Sequence, residues 1–359
     1  MVVDRPQARP PGADHVREVV VHQARACRAG GSPLYAGLLG AVVDDLDRAG
    51  PCARVLRTDR HPDPLASVLA LRFLAPLHEL VLAGRAPELA PWYPSVGGTA
   101  EPVGPGLGEA LHAVVEDHAD HLVDRLPRPV QTNEVGRAAL LVGGLALLAA
   151  RWSLPLRLLE IGASAGLNLR FDRYRYDTGT SSFGPASSPV RFERCWRPSS
   201  PDLGGPIEVA SRRGCDLDPL DPASAADRRL LRSYVWADQL DRLARLDAAL
   251  DLAVDLPVEV DRADGPTWIG DHLRRPRPGA TTVVLHAIVV QYLTPAGRRQ
   301  LRAAVESAAE RSSPDAPLAW LRMEPGQAGA ELQLSSWPDG DERVLARSSY
   351  HGPPVEWSG

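Results

Sequence analysis

Apolar positions in the first third of the chain recur at helical spacing. Val16, Val19, Val20 and Ala24 share one face, and Leu34, Leu38, Leu39, Val42, Val43 and Leu46 share another. This predicts two helices within 15–47, broken at Gly30-Gly31-Ser32-Pro33. Leu69, Phe73, Leu77 and Leu80 predict a helix over 65–82. Leu111, Val115, Leu122 and Leu126 predict another over 107–126. Between them, 83–106 is rich in Pro and Gly, reads as a loop, and carries Trp92 and Tyr93. Strand patterning is missing before residue 155, so the expectation is a helical domain over 14–128, preceded by a disordered leader over 1–13.

From residue 129 the pattern changes. Pro127 and Pro129 punctuate, and an apolar helix over 138–150 leads into Leu156–Ile161. That run has the length and character of a central strand in a parallel sheet covered on both faces. Further strands are expected over 207–216, 258–264, 281–290 and 317–325, with helices over 221–252 and 295–311 between them. Arg173–Asp177 and Pro189–Arg197 read as a hairpin inserted over 173–205. At the end, Glu331–Trp337 and Arg343–Trp357 flank Pro338-Asp339-Gly340-Asp341, a hairpin turn signal. The expected organisation is therefore an α/β domain over 129–359 behind the helical one.

Composition narrows the chemistry. The chain has 359 residues, 44% hydrophobic, with net charge −5 and no basic stripe, which disfavours nucleic-acid binding. All 40 basic residues are arginine. Without lysine there is no Schiff base to pyridoxal phosphate and no phosphate-loop lysine. Cys27, Cys52, Cys195 and Cys215 form no C-x-x-C pair and read as reduced thiols. His112, Glu116, His118, Asp120 and His121 share a helix without a known ligand spacing, so no metal site is expected. No charge-free apolar run reaches ~18 residues, so no membrane span is expected, and a cytoplasmic location is.

Candidate chemistry gathers at the carboxyl edge of the expected sheet, where open α/β sheets bind ligands. Glu160 ends the first strand. Gly162, Ser164 and Gly166 make a small-residue turn where backbone runs close to a neighbour, leading to a helix start. Asn133, Glu134 and Arg137 precede the apolar helix and either cap it or reach the same edge. His286 lies at the exit of the most apolar strand, with Gln291 and Tyr292 just beyond. A histidine there is a general-base candidate near neutral pH or a satisfied core residue. Arg322 and Glu324 lie at the exit of the fifth strand.

The heptad Glu160-Ile161-Gly162-Ala163-Ser164-Ala165-Gly166 resembles the first motif of class I S-adenosylmethionine-dependent methyltransferases, with Ser164 in place of a glycine. Gly214-Cys215-Asp216-Leu217-Asp218-Pro219 resembles the phrase ending their second strand. The resemblance implies a Rossmann-like, mostly parallel sheet with a C-terminal antiparallel hairpin over about 130–359. It implies S-adenosylmethionine as cofactor, with Glu160 and the Gly162–Gly166 turn at its amino-acid half, Asp216 at the ribose and Asp264 at the adenine. His286 or Tyr292 would then orient or deprotonate a small-molecule substrate. More narrowly, Gln-Thr-Asn-Glu-Val-Gly-Arg, Gly-Ala-Ser-Ala-Gly-Leu-Asn-Leu, Asp-Arg-Tyr-Arg-Tyr and Trp-Leu-Arg-Met-Glu-Pro resemble a bacterial family catalogued as domain of unknown function 2332, across nearly the whole chain. Two alternatives stay open: ring closure or elimination on the same fold without the cofactor, with Arg137 and Arg322 clamping an anionic leaving group, and a non-catalytic partner subunit.

Overall fold

The computed structural model describes residues 12–359. The expected leader lies outside the described residues up to position 11, and a helix begins at Ala13. The chain divides into two compact units. One comprises residues up to Thr132 together with Ala225–Ala244; the other comprises Asn133–Ser224 and Arg245–Gly359.

The first unit opens with α1 (Ala13–Ala29), α2 (Pro33–Arg48), α3 (Pro51–Leu56), α4 (Leu69–Leu82), α5 (Pro105–Asp117) and α6 (Ala119–Arg125). Its core collects the apolar faces of α1 and α2 with Leu69, Phe73, Leu77 and Leu80 of α4. The stretch 107–126, expected as one helix, is two, because His118 leaves helical geometry at φ −118°, ψ 20°. Beneath α4, Arg72 forms a two-pronged ion pair with Asp59 at 3.0 and 3.2 Å, both side chains 4% exposed. A planar guanidinium with every prong occupied is the form in which a buried charge is tolerated.

The second unit begins with α7 (Ala138–Trp152) and β1 (Leu156–Ile161). Short strands come next: β2 (Arg175–Asp177), β3 (Ser182–Phe183), β4 (Arg191–Glu193) and β5 (Trp196–Pro198). Then come β6 (Val209–Asp216), α8 (Ala225–Ser233), α9 (Leu240–Asp255), β7 (Val260–Arg262), α10 (Gly265–His272), β8 (Thr281–Ala287) and α11 (Pro295–Ala309). The chain closes with β9 (Leu318–Gly326), β10 (Gly329–Trp337), β11 (Asp341–Ser349) and β12 (Gly352–Trp357).

Of these, α8 and the start of α9 belong to the first unit, not to the sheet unit where chain order puts them. The reason is local. Asp238 accepts from Ser32 Oγ at 2.7 Å and from Leu34 N–H at 2.9 Å, closing the N-terminus of α2, and Trp236 enters the helical core. The single helix expected over 221–252 is accordingly interrupted between Ser233 and Leu240.

The large sheet has nine strands in the order β5-β12-β11-β10-β9-β8-β1-β6-β7. The run β7, β6, β1, β8, β9 is parallel. Then β10, β11 and β12 continue antiparallel, and β5 closes the edge parallel to β12. Central β1 is buried at five of six positions, as its apolar run requires. The expected terminal hairpin is a longer meander. Residues 343–357 split into two strands at a turn ending in Gly352, whose φ of +93° and contact with the Gly136 backbone leave no room for a Cβ.

The inserted hairpin is corrected too. Antiparallel to β3 and parallel to β4, β2 heads a separate three-stranded sheet, while β5 leaves for the large one. Stacking of Tyr176 on Phe192 and Phe183, at 5.3 and 6.2 Å between ring centroids, holds the small sheet together.

Against the sheet, α7 packs through two glycines. A Cβ on Gly143 would overlap the Trp357 ring, and one on Gly144 would lie 2.6 Å from Leu321. Val135–Trp152 is long and apolar enough to cross a membrane by length and composition alone, although Arg137 and Arg151 interrupt it, so no charge-free run of that length occurs in it. With 72% of it buried, it is a core helix.

Candidate functional site

The strand order reverses at β1. From β1 the chain proceeds outward to β6 and β7, then crosses back to β8 on the other side. Open parallel sheets bind ligands outside the carboxyl ends of the strands at such a switch point. Two segments leave the sheet here: the corner after β1, and residues 288–292 after β8.

Along β1 the side chains alternate. Leu159 and Ile161 enter the core formed with α10 and α11, so Glu160 projects from the opposite face. Its carboxyl is 2% exposed, and Oε2 has no hydrogen-bond partner. Burial pushes its pKa up to about 8, and the Asp216 carboxylate adds to the rise; Arg137, Arg170 and a hydrogen bond from Asn168 oppose it.

The turn beyond is held by side chains from three directions. Asp216 Oδ2 accepts from Ser164 N–H at 2.9 Å, and its Oδ1 accepts from Asp218 N–H at 3.0 Å. Asn133 Oδ1 accepts from the N–H groups of Ala165 (3.1 Å) and Leu167 (3.3 Å). Arg170, 1% exposed, donates to the carbonyls of Ala165 and Gly166 at 3.0 and 2.7 Å, and to that of Leu256 at 2.9 Å. The turn needs this bracing. Gly162 and Gly166 sit at φ +68°, and Ser164 at +53°, where only glycine is unstrained. Beyond the turn the chain forms a 3₁₀ stretch, Asn168–Arg173, and not the expected α-helix start. Arg170 leaves helical geometry at φ −103°, ψ 18°, with its guanidinium folded back on the turn's carbonyls. Ser164 Oγ and Asn168 Oδ1 are also buried without partners. Three unsatisfied polar atoms thus fall within 160–168, each costing about 1–3 kcal/mol.

The second segment is strained as well. Ile288 adopts φ +58°, an outlier for a β-branched residue. Glu324 Oε1 holds the loop by accepting from Val289 N–H (3.0 Å) and Val290 N–H (3.3 Å). The Val289 side chain lies on Gly162, where an added Cβ would be 2.6 Å from Cγ2.

The remaining expected residues have diverse settings. His286 is fully buried; Nδ1 is 2.6 Å from Glu324 Oε1, and Nε2 accepts from Trp320 Nε1–H at 3.0 Å. That pattern puts its proton on Nδ1 and leaves neither nitrogen directed at a substrate. Arg322 lies on the Trp320 ring at 4.5 Å and donates to Gln333, Ser335 and Glu342, within the β9–β11 face and away from the corner. Asp264 caps α10, accepting from Thr267 N–H at 3.1 Å and Thr267 Oγ1 at 2.8 Å. Glu134 Oε1 accepts from Gly136 N–H at 3.1 Å. Arg137 donates to the carbonyls of Ala287 (2.9 Å) and Tyr350 (3.1 Å) and puts its charge near Glu160. Tyr292 is 47% exposed and Gln291 is exposed beside it. The corner therefore unites Glu160, Gly162, Ser164, Gly166, Asp216, Asn133 and Arg137. Arg322 is turned away from it, and Asp264, the cap of α10, directly precedes Gly265, which packs on Ile161 at the end of β1. Sequence reading passed over Asn168, Arg170 and Ile288. Of these, only Arg170 carried a signal, as a lone charge in the apolar run Leu167–Phe171.

A family model described as "Uncharacterized protein conserved in bacteria (DUF2332)" matches residues 17–357, and the chain belongs to that family. No curated protein matches it. No solved structure matches it either.

Proposed function

Starting from that membership and from the corner after β1, we propose that the chain transfers a methyl group from S-adenosylmethionine to a small molecule. One observation carries the reading: the buried, unpartnered Oε2 of Glu160, beneath a strained glycine turn at the switch point of a parallel sheet. An unmatched buried acceptor beside such a turn suits a ligand that brings a donor or a positive charge. The amino-acid half of the cofactor brings an ammonium group, and Glu160 would hold it. Asp216, already tied to Ser164 N–H, is the acid a ribose would meet, and Asn133 and Arg170 keep the turn in shape. When bound, the cofactor supplies an electrophilic methyl group. Tyr292 and Gln291, exposed on the loop after β8, would orient the acceptor, a task for which His286 has no nitrogen to spare. Val289 must yield for the nucleoside to enter.

Calorimetric titration with S-adenosylhomocysteine tests this reading. Binding should tighten as pH rises from about 6 towards about 8, because the ammonium is best met by ionised Glu160, and should release a proton. Glu160→Gln should weaken binding and abolish that release. A parent protein that takes up no S-adenosylhomocysteine at any pH ends the proposal. A second reading is favoured by the contact of Val289 with Gly162 and by the commitment of Asp216 to backbone donors. In it the sheet persists without the nucleoside, either for cofactor-free ring closure or elimination or as a partner subunit.

A further inference from the structure

In the helical unit, three side chains far apart in sequence converge. A carboxylate oxygen of Asp45 on α2, Cys52 Sγ on α3 and a ring nitrogen of His112 on α5 all lie within 4.8 Å of one another. Asp45 is 1% exposed and Cys52 fully buried. Asp45 Oδ1 accepts from Ala53 N–H at 2.8 Å, which fixes the carboxylate and aims Oδ2 at His112. The chain approaches closely here: a Cβ on Gly50 would overlap Oδ2. Asp45 Oδ2 and His112 Nε2 are 3.2 Å apart, yet neither has a hydrogen-bond partner of acceptable geometry. Two buried polar atoms facing each other unsatisfied would be compensated by something between them.

We propose that Asp45, Cys52 and His112 bind one divalent transition-metal ion of the zinc type, leaving its fourth position open. The donor set, one carboxylate, one thiolate and one imidazole, suits zinc. Bonds of about 2.0–2.3 Å around a tetrahedral ion put oxygen and nitrogen about 3.4 Å apart and sulfur about 3.6 Å from each. The 3.2 Å pair already meets that distance, and the sulfur, within 4.8 Å of both, needs to close by up to about 1.2 Å. The metal takes Cys52 as its thiolate, so binding releases the thiol proton to solvent. His112 also lines an open cleft of about 590 Å³, with Gly37 and Gly40 of α2 and Gly108 of α5 in its lining. A Cβ on Gly40 would meet no atom within 4 Å. Of the three ligands His112 alone lines this cleft, which would be the ion's way in from solvent. Three protein ligands with an open position is the arrangement of reactive zinc sites; the cleft itself is lined by Arg28 and Arg48 and by Asp44 and Glu109, so its charges balance. Local spacing misses this site because its ligands come from three helices.

The test uses the full chain, stripped with a chelator and titrated with Co²⁺. One equivalent should bind, with a thiolate-to-cobalt charge-transfer band in the near ultraviolet and the strong visible bands of a four-coordinate ion. Zn²⁺ should erase both. Cys52→Ser should remove the charge-transfer band, and His112→Gln should weaken Co²⁺ binding by at least about tenfold, with helical circular dichroism unchanged. If the parent binds no Co²⁺ saturably, or binds it without the sulfur band, the proposal falls, and Asp45 and His112 form only an ion pair.

Discussion

Two carboxylates of the sheet unit, Glu160 and Glu324, sit near the carboxyl ends of parallel strands, and their surroundings differ. Glu324 accepts from His286 and from two backbone N–H groups, and His286 in turn accepts from Trp320. Glu160 has one oxygen without any partner and sits under a turn whose own polar atoms are also left over. The first network is satisfied on every side and reads as structure. The second stores unfavourable terms that folding alone does not explain. In position, a histidine at a strand exit and an acid at a strand exit are equal chemical candidates. Partners tell them apart.

The widest gap should appear in pH dependence. Glu160 has a folded pKa of about 8 against an ordinary 4.5. Between these values the folded state binds the proton and the unfolded state does not, so stability falls as pH rises from about 4.5 to about 8. The contribution is on the order of 5 kcal/mol. Urea denaturation of Glu160→Gln across this window should show that much less slope than the parent. An unchanged slope would mean that Glu160 is not the buried acid described.

Next in size is Glu324→Ala. It strips the acceptor from His286 Nδ1 and from Val289 and Val290 N–H. A loss of about 2–4 kcal/mol is expected by denaturant unfolding. If Glu324→Ala is neutral in stability while abolishing S-adenosylhomocysteine binding, the division between structural and functional carboxylates is reversed.

The same contrast separates what the chain's residues announce on their own from what only folding creates. Apolar periodicity identifies α1, α2, α4, β1, β8 and β9 because each depends on its own residues. Glu160 is legible because an acid before a small-residue turn has few other uses. The fate of Arg322 is not legible: its partners Gln333, Ser335 and Glu342 arrive only through the β9–β10–β11 register. Nor is the return of Asp238 to Ser32, two side chains 206 positions apart. The separate pairing of β2 with β4 likewise depends on aromatic contacts made after the chain has turned twice.

A smaller effect sharpens the account of Asp264. As the cap of α10 it holds Thr267 N–H and Oγ1, and Asp264→Ala should cost about 1 kcal/mol. S-adenosylhomocysteine affinity should stay as in the parent if capping is its whole task. An affinity loss beyond about tenfold would restore the adenine contact that the resemblance implies.

The smallest effect concerns Ile288. Its φ of +58° costs a residue with a Cβ about 1–2 kcal/mol, which Ile288→Gly removes. Glycine adds about 1 kcal/mol of backbone entropy to be lost on folding. The two nearly cancel, and loss of the half-buried isoleucine side chain then leaves the variant about 1 kcal/mol less stable than the parent. Affinity should not cancel. The strained residue holds Val289 over Gly162, so a relaxed loop should admit S-adenosylhomocysteine more readily, by about threefold. Calorimetry on Ile288→Gly beside Val289→Ala separates the causes. If only Val289→Ala tightens binding, the valine methyls block the corner and the strain at Ile288 plays no part in access.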